Sequence, residues 1–210
     1  MTIKARMLVT GGSGYLGAWV VRKAYPDWDV TATFFSHPED ELPAQPSITW
    51  RRLDVRDGAA VAALVARVRP AVLVHTAAAN PGADADFEEV NGYGTHHVAD
   101  AAAAEGARLI HVSSDVIFDG DKGNYVEEDL PAPITPYGRS KALAEEQVRK
   151  SAAEAVIVRT SLIYGWRPHV DRQTRWIAGD TQTGKQNKQN AAGDSLNETR
   201  GLKEGCGQPL

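Results

Sequence analysis

A tyrosine and a lysine four residues apart form the pair in this sequence best suited to proton chemistry. Tyr137 and Lys141 begin and end the segment YGRSK, which follows Pro136. Residues at this spacing project from one face of a helix, so the phenol and the ammonium would be neighbours. A free tyrosine titrates near ~10, and a close positive charge lowers that pKa. The pair therefore predicts a tyrosine that exchanges a proton with a substrate, with Lys141 as the charge that tunes it.

Ser114 is predicted to complete the same site. It follows an apolar run at residues 108–113 that is typical of a buried strand. The carboxyl edge of a parallel sheet is where ligands bind, and a serine hydroxyl there can donate a hydrogen bond to a carbonyl oxygen. A Tyr-x-x-x-Lys pair alone is a weak signal, because exposed helices often carry both residues. Together, Ser114, Tyr137 and Lys141 predict the catalytic residues of a redox site.

A glycine-rich turn follows the first predicted strand and opens the first predicted helix. The segment TGGSGYLG occupies residues 10–17. Gly11 would allow a tight turn, Gly14 would let the backbone approach a diphosphate, and Gly17 would let helix and strand pack closely. This context favours a dinucleotide ligand, with an ordinary strand-to-helix turn as the alternative.

The end of the second predicted strand bears on the type of dinucleotide. Ser36 and His37 stand there, and the first acid after them is Glu39. A carboxylate at this position would favour a free ribose 2′-hydroxyl, so its absence removes a source of repulsion for a 2′-phosphate. Ser36 could donate a hydrogen bond to that phosphate and His37 could add charge, which favours NADPH over NADH. No arginine in this segment decides the matter, and both residues are also common in ordinary turns.

Strands and helices are predicted to alternate from residue 5 to residue 159. Apolar and β-branched runs predict strands at 5–10, 29–35, 48–55, 71–76, 108–113 and 155–159. Helical periods predict helices at 14–24, 58–68, 87–105 and 136–152, the last capped by Thr135. This alternation predicts an α/β fold with a doubly wound parallel sheet of the Rossmann type.

Composition excludes several other classes of protein. Twenty-seven acids against 23 bases give a net charge of −4 without a long single-sign run, which disfavours nucleic-acid and membrane-surface partners. Cys206 is the only cysteine, so a disulfide within the chain is impossible and a cytoplasmic location is expected. No apolar run approaches the length of a membrane span. His75, His96 and His97 lack a convergent set of carboxylates or cysteines, so they are interpreted as packing residues and no metal is expected.

The motifs taken together resemble the extended short-chain dehydrogenase/reductase superfamily. Besides the turn, Ser114 and the Tyr137/Lys141 pair, they include Asp54-Val55 and Ala77-Ala78-Ala79. Within that superfamily, the segments SSDVIFDG at 113–120, PYGRSK at 136–141 and RTSLIYG at 159–165 look like the dTDP-4-dehydrorhamnose reductase family. The likeness covers residues 3 to about 180. It implies an NADP(H)- or NAD(H)-dependent oxidoreductase that reduces a keto group of a small-molecule nucleotide-sugar, as in dTDP-rhamnose biosynthesis, and it leaves open a homodimer.

The resemblance also implies a role for each matching residue. Tyr137 would protonate the forming alkoxide, Ser114 would orient the carbonyl, and Lys141 would also hold the nicotinamide ribose. The cofactor site would include, besides Tyr137 and Lys141, Gly11, Gly14, Tyr15, Leu16 and Gly17 at the pyrophosphate turn, Asp54 and Val55 at the adenine, and Ala77, Ala78 and Ala79 beside the cofactor. Ser36 and His37 would lie at the adenosine ribose.

The last part of the sequence departs from the family pattern. Residues 1–170 are predicted to form the dinucleotide-binding domain with the catalytic residues, whereas 171–210 would be a remnant of the substrate-binding region and a loose tail poor in apolar residues. A truncation or a shifted reading frame would produce such a tail. We expect most of the C-terminal substrate domain to be missing, which would impair substrate affinity and the exclusion of water.

Two other functions remain open at this level. One is a cofactor-binding regulatory subunit without catalysis, because the regulatory partner of methionine adenosyltransferase resembles the same family. The other is a sugar-nucleotide epimerase or dehydratase with the same three residues. Asp115-Val116 follow Ser114 where a dehydratase would be expected to show an Asp-Glu pair, which argues against a dehydratase.

Overall fold

The computed structural model describes residues 4–36, 46–82, 86–151 and 154–164. The strands of this part of the chain are β1 (Arg6–Thr10), β2 (Asp29–Phe34), β3 (Ile48–Arg52), β4 (Val72–His75), β5 (Arg108–Ser114) and β6 (Ala155–Thr160). The α-helices are α1 (Tyr15–Ala24), α2 (Gly58–Val68), α3 (Gly94–Ala104) and α4 (Pro136–Ser151). Every strand and helix predicted from the sequence is therefore present, with ends shifted by a few residues.

The strands form one parallel sheet in the order β3-β2-β1-β4-β5-β6. Every neighbouring pair in that order is parallel, for example β1 with β2 and β1 with β4. The order reverses between β1 and β4, and such a switch point opens a crevice at the carboxyl edge of a doubly wound sheet. The predicted Rossmann-type fold is confirmed.

Local signals in the sequence account for the helix ends that matter here. The Asp57 side chain accepts a hydrogen bond of 3.0 Å from the Ala60 amide and so caps α2. At the start of α4, the Gly138 amide donates to Thr135 Oγ1 at 2.9 Å, as predicted for a threonine cap. These caps fix where each helix leaves the carboxyl edge of the sheet.

The helix predicted at 87–105 is not uniform. A π-helical turn at Glu88–Tyr93 precedes α3. A Cβ on Gly92 would lie 2.5 Å from Leu143 of α4, and one on Gly94 would lie 2.8 Å from Val55. The two glycines that weaken the helical pattern are therefore the residues that let this segment approach its neighbours.

Apolar residues cover both faces of the sheet. On one face Met7, Val9, Val30 and Val74 pack against Val21 of α1. On the other face the cluster joins the sheet to α2, α3 and α4 and includes Leu8, Leu73, Leu109, Val61, Val98 and Val148. In the described residues no helix has the length and apolar character needed to cross a membrane.

The predicted division of the chain at residue 170 is not tested. The described residues as far as 163 belong to one compact unit. His37 and the predicted tail at 171–210 lie outside the described residues.

Candidate active site

The glycine turn joins β1 to α1, and it has no Cβ at the two positions where the backbone packs most closely, Gly11 and Gly17. Gly11 has a φ of 72°, and a Cβ there would lie 2.6 Å from the Ala77 amide nitrogen. A Cβ on Gly17 would collide with the Gly11 carbonyl oxygen, and the Gly14 amide donates to that oxygen at 2.9 Å. Gly11 and Gly17 thus play the backbone roles predicted for them, because any larger residue would push the turn and the helix apart.

The start of α1 presents main-chain amides at this turn. Gly14 is its N-cap residue and makes no side-chain capping bond. The first turn of a helix carries N–H groups without intrahelical partners and the positive end of the helix dipole. Tyr15, Leu16 and Gly17 supply the first of these groups, so the turn has the donor set that an anionic diphosphate requires.

The segment after β4 lies directly beside the turn. Thr76 Oγ1 donates to the carbonyl oxygen of Thr10 at 2.7 Å, and Ala77 contacts Gly11. Ala79 is buried, and its amide donates to Asn91 Oδ1 at 2.8 Å. Ala77, Ala78 and Ala79 therefore follow β4 at the switch point, as predicted.

Ser114 is the last residue of β5 and caps a 3₁₀ turn at Asp115–Ile117. Its hydroxyl donates to Asp115 Oδ1 at 3.2 Å, and the Val116 amide points to Ser114 Oγ at 3.5 Å. Both contacts are long for hydrogen bonds to a hydroxyl. The Ser114 hydroxyl is therefore only loosely engaged and can turn towards another acceptor.

Tyr137 stands in the first turn of α4 and is half-buried. Its ring meets Phe87 edge-on with centroids 5.8 Å apart. Burial raises the pKa of the Tyr137 hydroxyl above its usual value, and the negative charge of Asp115 raises it further. The prediction that Lys141 lowers the pKa of Tyr137 is therefore wrong for this structure.

The position of Lys141 explains that result. Its side chain is buried and 3% exposed, and Nζ donates to the Val112 carbonyl oxygen at 2.7 Å. Burial lowers the pKa of Lys141 to about 8, partly offset by the nearby negative charge of Glu145. The ammonium is thus directed to the backbone of β5 rather than to the phenol of Tyr137.

The backbone brings α4 close to the turn that follows Ser114. A Cβ on Gly138 would collide with the Val116 carbonyl oxygen, so only glycine fits between Tyr137 and Arg139. Ser114, Tyr137 and Lys141 therefore lie at or just below the carboxyl edge around β5. Among the described residues, no hydrogen bond links these three side chains to one another directly.

Asn91 is a site residue that the sequence analysis missed. It is 1% exposed, and its amide nitrogen donates to the Ala79 carbonyl at 3.1 Å and to Ser140 Oγ at 3.0 Å. Ser140 Oγ in turn donates to the Tyr137 carbonyl at 2.8 Å. Asn91 thereby joins the segment after β4 to the helix that carries Tyr137. The sequence carries no signal that sets Asn91 apart from the other polar residues of this stretch, such as Glu88 and Glu89.

Two histidines lie in the sheet near Lys141. The rings of His75 and His111 are stacked with centroids 5.4 Å apart, and His75 Nδ1 lies 2.6 Å from Thr10 Oγ1. Burial and the positive charge of Lys141 lower the pKa of His75 to about 3. His75 is thus a neutral packing residue, in agreement with the interpretation drawn from the sequence.

The residues predicted at the adenine contact their own neighbours. Both oxygens of Asp54 accept hydrogen bonds from Arg56, the shortest being 2.6 Å from Nη2. This hydrogen bonding lowers the pKa of Asp54 despite an opposing effect of burial. The carbonyl of Val55 lies 3.1 Å from Nδ1 of His97. Ser36 is exposed at the end of β2.

A cleft of about 810 Å³ is bordered by the turn that follows Ser114. Its lining includes Val116, Phe118, Tyr125 and Arg159. The three predicted catalytic residues do not line it. The cleft therefore adds no support for a substrate pocket at those residues.

Comparison with known proteins gives a consistent result. The sequence matches the family described as the RmlD substrate binding domain over residues 5–172. The dTDP-4-dehydrorhamnose reductase of Streptomyces griseus is 38% identical over 169 residues, which cover 77% of this chain and 51% of that protein. Methionine adenosyltransferase 2 subunit beta of Rattus norvegicus is 32% identical over 169 residues, which cover 76% of this chain and 47% of that protein.

A solved structure shows the same likeness. The dTDP-4-dehydrorhamnose reductase of Bacillus anthracis, crystallised in complex with NADP, superposes with a TM-score of 0.67 at 29% identity. The match covers 80% of this chain and 57% of that chain. The chain spans about half the length of the curated relatives it matches. Because the family match takes in well over half of its residues, the chain belongs to the RmlD substrate binding domain family, within the short-chain dehydrogenase/reductase-like superfamily.

Proposed function

We propose that this chain binds a nicotinamide dinucleotide and uses it to reduce a keto group of a nucleotide-sugar. The observation that carries the proposal is the packing of Gly138 on the Val116 carbonyl, which sets Tyr137 beside the turn that begins at Ser114. The reductase of S. griseus, at 38% identity, and the NADP complex of the B. anthracis enzyme support the substrate class and the cofactor.

The glycine turn fits the diphosphate of such a cofactor. Gly14 leaves the start of α1 without a side-chain cap, and a Cβ on Gly11 or Gly17 would fill the space between the turn and its neighbours. Main-chain amides of the first turn would hold the diphosphate. Ala77 to Ala79 would line the next part of the cofactor, since small side chains leave room beside β4.

The chemistry follows from what each side chain can donate. The bound cofactor supplies the hydride that reaches the carbonyl carbon. Tyr137 keeps its proton at neutral pH, because burial raises its pKa, and it donates that proton to the carbonyl oxygen as negative charge develops there. Ser114 turns from Asp115 and donates a hydrogen bond to the same oxygen. The product is an alcohol, and Tyr137 recovers its proton from solvent.

Lys141 would contribute to the same site through its charge and its N–H donors. With a pKa of about 8 it is mostly charged at neutral pH. One of its three N–H donors is used by the Val112 carbonyl. The remaining two would be available to a ribose hydroxyl, the role that the family resemblance implies.

A spectrophotometric assay tests the proposal. Consumption of NADPH is followed with dTDP-4-dehydrorhamnose as substrate, for the chain and for Tyr137→Phe. We expect Tyr137→Phe to lower the rate at least ~100-fold, since it removes the proton donor. Tyr93→Phe, at an exposed tyrosine, serves as the matched control and should keep the rate. Equal rates in the chain and in Tyr137→Phe would contradict the proposal.

The likeness to methionine adenosyltransferase 2 subunit beta supports a second candidate, a regulatory subunit that binds the cofactor without catalysis. It predicts binding of NADPH with no turnover of any keto-sugar. Tyr137→Phe would then leave every measured property unchanged. The same assay, combined with a binding measurement, separates the two functions.

A further inference from the structure

Two arginines lie beside the end of β2, where the sequence alone showed none. Phe34 of β2 is paired with Arg52 of β3, and the Leu53 amide donates to the Phe34 carbonyl at 2.9 Å. One residue before Phe34, the Thr33 hydroxyl accepts a hydrogen bond of 3.2 Å from the Gly11 amide. The glycine turn, the end of β2 and the end of β3 therefore form one continuous stretch of the carboxyl edge.

Phe35 organises the two arginines. The guanidinium of Arg52 lies 5.9 Å from the centroid of the Phe35 ring, and that of Arg56 lies 5.7 Å from it. Arg52 Nε also donates to the Phe35 carbonyl at 3.2 Å. Phe35 is 49% exposed, so it is a platform at the surface rather than a core residue. Stacking on an aromatic ring orients a guanidinium. Nε and Nη2 of Arg56 already donate to Asp54, whereas in the described residues only Nε of Arg52 has a hydrogen-bond acceptor.

The charges of this group do not cancel. Arg56 is paired with Asp54 through Nη2 and Oδ2 at 2.6 Å. In the described part of the chain, the hydrogen bond of Arg52 goes to a neutral carbonyl oxygen, and its positive charge also acts on Asp54 from a distance. This group therefore holds two cations and one anion, and Glu89, a further anion that acts on Arg56, makes no hydrogen bond to it in the described residues.

We infer that Arg52, aided by Arg56, binds the 2′-phosphate of NADPH and makes the chain selective for NADPH over NADH. In a doubly wound fold the adenosine ribose lies at the end of β2, where a carboxylate selects the free hydroxyl and an arginine accommodates the phosphate. A guanidinium matches a phosphate with two parallel hydrogen bonds, which a histidine or a serine cannot do. The inference rests on the proposed function, because it assumes a dinucleotide on the glycine turn.

A simpler role for the two arginines makes a different prediction. If they only shield Phe35 from solvent, removing one would change the affinity for nucleotides with and without a 2′-phosphate equally. The two ligands that differ in this group are adenosine 2′,5′-bisphosphate and adenosine 5′-monophosphate. Their affinities can be measured without any catalytic turnover.

Isothermal titration calorimetry of the full chain with both nucleotides tests the inference. We expect the bisphosphate to bind at least ~10-fold more tightly than the monophosphate, since one charge-assisted pair contributes about that factor. Arg52→Gln should remove most of this difference and change the affinity for the monophosphate less than about twofold. Arg52→Lys, which keeps the charge and loses the paired geometry, should give an intermediate affinity for the bisphosphate.

Arg51 provides the matched control. It is the preceding residue of β3, is exposed, and donates to the carbonyl of Trp50 at 2.9 Å. Side chains alternate along a strand, so Arg51 points to the other face. Arg51→Gln removes the same charge and should keep the preference for the bisphosphate.

The outcomes separate this inference from the proposed function. Equal affinities of the unmodified chain for the two nucleotides would overturn the inference and leave the dinucleotide site standing. If Arg51→Gln and Arg52→Gln lost the same amount of the preference for the bisphosphate, the inference would also be overturned, because the preference would then come from the overall charge of the chain. Failure of both nucleotides to bind the unmodified chain would overturn the proposed function, and the inference with it.

Discussion

Lys141 Nζ donates a 2.7 Å hydrogen bond to the carbonyl oxygen of Val112, so the lysine of α4 is anchored to the backbone of β5. Lys141 is therefore part of the packing between helix and sheet as well as a candidate catalytic residue. Its burial lowers its pKa from 10.5 to about 8. A buried lysine with a lowered pKa makes the stability of the fold depend on pH.

The first prediction concerns this pH dependence. Between about pH 8 and pH 10.5, the unfolded chain binds a proton that Lys141 in the folded chain has released. The free energy of unfolding contributed by Lys141 therefore rises with pH through this window. Urea unfolding across the window should show a steeper rise for the unmodified chain than for Lys141→Met. Lys150→Met, at an exposed lysine, should keep the slope of the unmodified chain, and a common slope for all three would contradict the assignment.

The second prediction concerns Asn91. Asn91→Ala leaves the buried amide and carbonyl of Ala79 without their partner and removes a hydrogen bond to Ser140. We expect a loss of about 2–3 kcal/mol in the free energy of unfolding. Asn80→Ala, at an exposed neighbour of Ala79, should change it by less than about 0.5 kcal/mol. Similar losses in both variants, measured by urea unfolding, would show that the Asn91 hydrogen bonds do not stabilise the site.

The third prediction concerns Glu145, which is fully buried in α4. It pairs with Arg149 at 2.7 Å and with Arg159 of β6 at 2.9 Å. Burial alone would raise the pKa of Glu145, but the hydrogen bonds from Arg159 and its other partners give a net lowering. Glu145→Gln leaves two guanidinium groups without their counter-charge. We expect a loss of about 3 kcal/mol in the free energy of unfolding.

The adjacent residue supplies a control for Glu145. Glu146 forms an exposed pair with Lys150 at 2.5 Å. Glu146→Gln should lower the free energy of unfolding far less than Glu145→Gln does, because exposed ion pairs contribute little. Hydrogen exchange gives a second readout, because Glu145→Gln should speed exchange of the β6 amides. If the two variants lose the same stability, the buried pair does not hold β6 to α4.

The fold could be predicted because its signals are local. The apolar run that forms β1 ends at the glycine turn, and α2 has the predicted bounds of 58–68 because Asp57 caps it. The π-helical turn at Glu88–Tyr93 could not be predicted from the sequence pattern. Its two neighbouring glycines lie where a Cβ would collide with Leu143 and Val55, which are far away in the chain.

The candidate site was predictable to a lesser degree. The positions of Ser114 and Tyr137 follow from strand and helix ends, which are local features. The partner of Lys141 is a main-chain carbonyl, which has no sequence signature. Arg52 meets Phe35 only because β3 pairs with β2, and that pairing is a property of the sheet. The spacing of residues in the sequence therefore predicted which residues form the candidate site, but not the groups that their side chains contact.

The fourth prediction concerns the buried histidines. Both ring nitrogens of His111 lack a hydrogen-bond partner in the described structure. Burial lowers the pKa of His111 well below its usual value, and the positive charge of Lys141 lowers it further. In the unfolded chain His75 and His111 bind protons below about pH 6.5, whereas in the folded chain they stay neutral, His75 down to about pH 3. Stability must therefore fall as the pH drops below 6.5.

His111→Phe removes one of these two titrating groups and both unpaired nitrogens while keeping an aromatic ring beside His75. Below pH 6.5, the slope of the free energy of unfolding against pH should decrease by about 1.4 kcal/mol per pH unit, which is the value for one proton. His111→Leu, which is smaller than phenylalanine, separates crowding from titration, because both variants should show the same shallower slope. Urea unfolding between pH 4 and 6.5 measures it, and an unchanged slope in both variants would mean that His111 is protonated in the folded chain.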